Sequence, residues 1–245
     1  MKVKLVVGVV LVSWSVVAPR AQRLDAARPA IDAYRTAIQA AEKEPSRGQL
    51  EVAFNAIGPL RQALLLNRDG TGGLLESLSE QEFATLGHEL VGVLVRRDEA
   101  VFVEPDVAFF GRLAARGDPA DRAFFAALHS TYPQSVWPVY VDQQTDVSGC
   151  TRYGSGTLVS TYFTWTAVRR QYPKRYEEAS ARHLDAIVKE LTESTCACSD
   201  RASVERELTE FLGRGDASDV RTRVEARLAA IRSGRANMRF TCKSG

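Results

Sequence analysis

Cys150, Cys196, Cys198 and Cys242 are the residues with the most evident chemistry, and all four lie in the C-terminal half. A four-cysteine zinc site usually shows two close pairs separated by two to four residues. Here there is one close pair, with a single residue between its members. An even count in an exported chain instead predicts two disulfides. Cys196 and Cys198 are too near in sequence to bond without strain, so each seeks a distant partner. If helices over 157–171 and 173–194 are antiparallel, Cys196 meets Cys150. If helices over 200–213 and 217–232 are antiparallel, Cys198 meets Cys242. The crossed pairing is the alternative.

Three other motifs have chemical shapes. Thr85-Leu-Gly-His-Glu-Leu-Val-Gly92 superficially resembles a zincin helix, but that chemistry needs a second histidine where Gly92 stands. His88 also falls off the apolar stripe and is expected in solvent. Asn67, Asp69 and Thr71 place oxygens at positions one, three and five of a calcium loop, with Gly72 sixth and Leu74 eighth. Position twelve, where calcium wants a bidentate glutamate, is Leu78. The stretch reads as a glycine-rich helix connection, and no metal or other cofactor is expected. Gly154-Ser155-Gly156 can cradle an anion at a helix N-terminus, although it lacks the strand and lysine of a P-loop.

Residues 132–176 hold six of the seven tyrosines, together with Trp137 and Trp165. Rings beside glycine turns can line a pocket for sugar, peptide or another apolar ligand. Loops carry binding groups more often than the scaffold beneath them. Trp137, Tyr140, Arg152 and Tyr153 are therefore the expected ligand- or partner-binding residues, accessible on a concave surface beside the first disulfide. The alternative is that these rings pack the irregular connection onto the helices. Catalytic residues are not identifiable: the many glutamates read as solvated helix faces.

The elements that must hold these groups are helical by periodicity. Ile31, Tyr34, Ile38 and Ala41 mark a first helix, with Pro29 near its start. Leu50, Phe54, Ile57, Leu60 and Leu64 mark a second, which Gly58-Pro59 should kink or break. Ser79 and Glu82 form a capping box ahead of a helix whose stripe is Phe83, Leu86, Leu90, Val91 and Leu94. Residues 105–116 and 119–130 form a helical hairpin about Gly117-Asp118-Pro119. Residues 132–155 are irregular. The run 157–171 is rich in strand-favouring residues, but its length favours helix. Pro173 opens the next helix, and two more follow over 200–213 and 217–232.

Residues 1–21 read as a signal peptide: Lys2 and Lys4, an apolar run from Leu5 to Ala18, and cleavage after Ala21. The formal charge of +2 becomes −1 once Lys2, Lys4 and Arg20 are removed (2 − 3). Such neutrality gives no electrostatic case for nucleic acid or an anionic membrane surface. Abundant arginine and alanine against scarce lysine point to a GC-rich bacterial genome.

The expectation is an all-α protein of eight to nine helices, an irregular bundle or short stack of helical hairpins, with a disulfide-stapled C-terminal half. Residues 22–245 form one domain, which could divide only near 131–150. The leading functional expectation is an exported, periplasmic or secreted, non-catalytic protein. It binds a protein partner or small envelope ligand through the aromatic segment, with no membrane attachment after cleavage. A periplasmic enzyme acting on cell-wall material and a self-assembling helical scaffold are the alternatives.

Overall fold

A computed structural model describes residues 20–46, 48–65, 73–98, 100–133, 136–145, 147–214 and 219–242. Residues 1–19, most of the expected signal peptide, and Asn67, Asp69 and Thr71 of the calcium-like loop lie outside the described residues.

The described chain is mostly helical. Helix α1 spans Arg20–Lys43, α2 Gln49–Asn55, α3 Ile57–Leu65, α4 Glu80–Glu89, α5 Val107–Ala114 and α6 Pro119–Thr131. After an irregular stretch come α7 Thr157–Gln171, α8 Glu177–Glu193, α9 Arg201–Gly213 and α10 Asp219–Arg232. Helices α2 and α3 run on through Ala56, whose N–H still reaches Val52 and whose carbonyl still receives Leu60. The interruption sits three residues before Pro59, whose ring crowds the preceding turn. Helix α1 runs back through Pro29 rather than starting there.

Two small antiparallel ladders interrupt the helices. Strands β1 (Val93–Arg97) and β2 (Val101–Pro105) form a hairpin with Val95 opposite Val103. The expected stripe through Val91 and Leu94 is therefore broken: α4 ends at Glu89, Val91 is exposed and Leu94 belongs to a strand. The β-branched alternation Val93, Val95, Val101, Val103 is a strand signal that outweighs a helical reading. Strands β3 (Val141–Gln143) and β4 (Gly149–Thr151) form the second ladder. The expected caps are present. Ser79 and Glu82 cap α4 reciprocally, and Asp118 and Asp121 do the same for α6.

Consecutive helices pack as hairpins: α5 on α6, α7 on α8, and α9 on α10. One apolar core runs through them from Ala27 to Ile231. At its centre Phe54 meets Phe110, Phe124, Phe125 and Tyr176 edge to face, while Tyr176 stacks on Phe124 at 3.9 Å. Helix α8 begins at Glu177 instead of Pro173 because Tyr176 precedes it at φ +49°. That conformation costs energy for a residue with a side chain. Three contacts hold it. Its ring is stacked, its hydroxyl donates to Asp121 at 2.7 Å, and its N–H donates to Glu51. Neighbouring Arg175 donates to Glu51, Asp118 and Asp121 at 2.6, 2.6 and 2.8 Å, tying α2 and α6 to the α7–α8 turn. Asp121 is fully buried, and burial raises its pKa despite the Tyr176 hydrogen bond.

The Gly154–Gly156 turn does cradle an anion, and the anion is internal. Glu207 of α9 is fully buried, and accepts from the N–H groups of Gly154, Gly156 and Val159 at 2.7, 2.8 and 3.2 Å. The carboxylate thus takes two donors that α7 leaves unpaired at its N-terminus, Gly156 and Val159, and one from the preceding turn. Both glycines have positive φ, +93° and +73°, and a Cβ at either would collide with α9.

Two disulfides staple the C-terminal half, and their pairing differs from the expectation: Cys150 bonds Cys198, and Cys196 bonds Cys242. The expected hairpins exist, so the neighbourhood is right. Register decides the partners. Residues 195–199 are extended between two other segments, with Thr151 alongside Ala197 on one flank and Arg239 alongside Cys196 on the other. Thr241 N–H reaches Ser199, then Thr241 turns the chain at φ +53°, and Cys242 N–H returns to Ala197. That reversal carries Cys242 back toward Cys196, leaving Cys198 to Cys150.

Two predictions follow from this packing. Non-reducing peptide mapping, with cleavage between Cys196 and Cys198, will recover Cys150–Cys198 and Cys196–Cys242; either other pairing would refute the register described. Replacing Glu207 by alanine strands three N–H groups and should lower unfolding stability by about 3 kcal/mol or more in urea titration. A loss below about 1 kcal/mol would show that the carboxylate does not hold α7.

Candidate functional site

Two grooves lie along α8. The larger, about 980 Å³, is bounded by α2–α3, the end of β2 with the start of α5, the segment after α6, and the first half of α8. Its apolar wall includes Phe54, Ile57, Leu65, Leu94, Leu128 and Val136. Its polar groups include Asn55, Gln62, Arg61, Glu104, Tyr132, Arg182 and His183. This is the combination expected of a ligand pocket: mostly apolar walls with a few placed polar groups.

Arg61 and Glu104 form the fixed polar centre. Arg61 Nε donates to the Val103 carbonyl at 2.7 Å, and its other arm pairs with Glu104. Burial pushes the Glu104 carboxyl above its ordinary pKa, against the pull of Arg61. Burial likewise raises the Tyr132 phenol to about 12, with Glu104 adding to the shift. His183 stacks on Trp165 at 4.3 Å and lies 5.7 Å from the Tyr132 ring. Trp165 is held in turn by a 3.0 Å bond from its Nε1 to Thr131. Burial, aided by Arg182, lowers the His183 pKa from 6.5 to about 4. The imidazole in this wall is therefore neutral at neutral pH.

The smaller groove, about 330 Å³, lies at the other end of α8. Trp137, Val141, Cys150, Thr151 and Cys196 face Lys189, Glu190, Glu193 and Ser194 across it. Thr151 donates to Glu190, and Glu193 receives Arg223 at 2.7 Å. At 100° per residue, Ala179, Arg182, His183, Ala186, Lys189, Glu190 and Glu193 share an arc of about 120°. One stripe of one helix, roughly 21 Å long from Ala179 to Glu193, therefore serves both grooves.

The four sequence-selected residues separate. Trp137 is half-buried and lines the smaller groove beside Cys150, as expected. Arg152 is exposed, with an arm bonded to the Val139 carbonyl. Tyr140 and Tyr153 are buried at 3 and 5% exposure and belong to the core. Tyr153 donates to the Glu190 carbonyl at 2.5 Å, and burial raises its phenol to about 12. Tyr140 is raised further by burial. The expectation that these two rings face solvent is not met. Tyr153 ties the connection to α8 through its partnered hydroxyl, and both rings stabilise more by burial in the core than at the surface. Arg61, Glu104 and His183 of the larger groove share no local spacing that could link them in the sequence. His88 is exposed, as expected, and no group of acidic, histidine or cysteine side chains among the described residues is arranged to hold a metal.

No protein-family model matches this chain, and neither a curated protein nor a solved structure matches it.

His183 provides a pH signature. Its folded pKa lies below its unfolded value, so the unfolded state binds the extra proton first. Stability attributable to this group is intact above about pH 6.5 and is lost as pH falls toward 4, by about 3 kcal/mol. His183→Gln should flatten that part of the stability curve, measured by urea unfolding at pH 7 and pH 4. An unchanged curve would place the imidazole in water.

Proposed function

We propose that the chain is an exported, non-catalytic bacterial protein of the periplasm or cell exterior, whose larger groove seats an extended segment of a partner protein. The observation that carries this reading is the larger groove itself, which sets apolar sockets beside amide, guanidinium and phenol groups. Phe54, Ile57, Leu128 and Val136 suit apolar side chains. Asn55, Gln62, Arg61 and Tyr132 suit the N–H and C=O groups of a peptide backbone. The aromatic segment after α6 contributes Tyr132 and Val136, so it keeps a role in binding at different residues. Export rests on the charged and apolar start of the chain. Two disulfides suit an oxidising compartment, and no helix among the described residues is long and apolar enough to cross a membrane.

One observation favours an enzyme instead. A carboxyl that burial holds above its ordinary pKa, beside a phenol, is a candidate general acid for hydrolysis. In that case Glu104→Gln would abolish turnover of cell-wall fragments. The Arg61 contact, which favours the charged form, makes binding the stronger reading.

A photo-crosslinking residue placed at Gln62 or Arg182 in the native host tests the binding reading, with Glu225 on α10 as control. The expected result is an adduct to one partner protein at both groove positions, mapping to a continuous apolar segment, and none at Glu225. Adducts only to lipid, or only to a second copy of the chain, would overturn it.

A further inference from the structure

We infer that the smaller groove is a binding subsite for a neutral saccharide, with Trp137 as its platform. This inference is independent of the partner-segment reading, since it uses different residues at the other end of α8. Three observations carry it.

The first is charge balance. The charged side chains lining the groove are Lys189, Glu190 and Glu193, and Glu193 is held by Arg223. Arg227 also bonds the Ser194 carbonyl, so charges of both signs line or adjoin the groove and an ionic ligand of either sign meets opposition. An amine would face Lys189, and a phosphate would face the carboxylates. A polyol meets no such opposition.

The second is the kind of hydrogen-bonding group present. Carboxylates accept, an ammonium donates, and the hydroxyls of Thr151 and Ser194 do both. Sugar hydroxyls also do both, so adjacent hydroxyls on one ring can bridge a carboxylate and an ammonium at once. Trp137 adds an aromatic surface whose electron-rich face attracts the polarised C–H groups of a pyranose. A purely apolar ligand would strand these polar groups.

The third is rigidity. One wall is fixed by Cys150–Cys198 and Cys196–Cys242, and by Thr151 bonded to the backbone of Cys196 and Cys198. Thr151 Oγ1 also donates to Glu190 and lies 2.9 Å from Ser194 Oγ. Polar groups held in place before binding lose little freedom when the ligand arrives. A volume of about 330 Å³ lies at the small end of ligand sites and suits one or two rings.

Acrylamide quenching of tryptophan fluorescence tests this directly. Trp165 is fully buried, so quenching in the folded, processed protein reports on Trp137. The probes are β-1,4-linked glucose and N-acetylglucosamine trisaccharides at millimolar concentration, against inorganic phosphate, spermidine and an apolar hexapeptide. The expected result is protection by at least one trisaccharide and by none of the other three. Lys189 is exposed, so Lys189→Ala leaves the fold in place and should weaken that protection several-fold. Trp137→Ala, followed by calorimetry, should weaken binding about tenfold. Protection by phosphate, spermidine or peptide alone would overturn the inference. So would failure of both trisaccharides, or saccharide binding that neither substitution changes. Loss of saccharide binding leaves crosslinking at Gln62 untouched, so the two readings fail separately.

Discussion

A single buried carboxylate underlies the arrangement of the C-terminal half. Glu207 reaches from α9 to the glycine turn that opens α7 and accepts the N–H groups of Gly154, Gly156 and Val159. A helix N-terminus presents unpaired donors and partial positive charge, and a buried one must be satisfied from elsewhere in the chain. Because α7 packs against α6, α8 and α9, fixing its start sets the height of Trp165 in the core and of α8 along it. Both grooves are cut beside that α8 surface, so their shape traces back to an interaction outside either of them.

The other half is tied in by the same kind of device, inverted in sign. Arg175 is a cation surrounded by Glu51, Asp118 and Asp121, which come from α2 and the start of α6. Partly buried charges of this type contribute little net stability compared with well-packed apolar groups, but removing one partner leaves the rest unpaired. Their effect is geometric. They fix the α7–α8 turn, hold Tyr176 in a conformation it would not adopt alone, and set the point at which α8 begins. The larger groove opens beside that beginning.

The grooves therefore have stiff walls of different origin. Aromatic packing, with Trp165 under His183, backs the larger one. Disulfides and a short backbone ladder back the smaller one. Walls built on packed helices and disulfide-tied backbone suit recognition without large rearrangement. One ion pair stands at each groove, Arg61 with Glu104 in the larger and Glu193 with Arg223 at the smaller. Selectivity then depends on apolar fit and on placed hydrogen bonds.

Helical periodicity in the sequence determined most of the architecture. The stripes Ile31, Tyr34, Ile38 and Ala41 of α1 and Leu50, Phe54, Ile57, Leu60 and Leu64 of α2 and α3 are buried in the core, and local chemistry set the caps at Ser79 and Asp118. The helical reading of 157–171 against its strand-rich composition was legible because length and the polar ends favour a helix. The four-cysteine staple was legible from count and spacing together with the export reading of the first residues. The tertiary structure decided what depends on register and on distant neighbours. A φ of +53° at Thr241 exchanged the disulfide partners. Alternating valines became a hairpin only because β1 and β2 could pair. Tyr140 and Tyr153 were drawn inward while Trp137 stayed at a groove, since burial of a ring depends on what lies opposite it. The anion cradle at Gly154–Gly156 was visible in the sequence, but its occupant lies some fifty residues away. Arg61, Glu104 and His183 come from three separate parts of the chain, and only folding brings them into one groove.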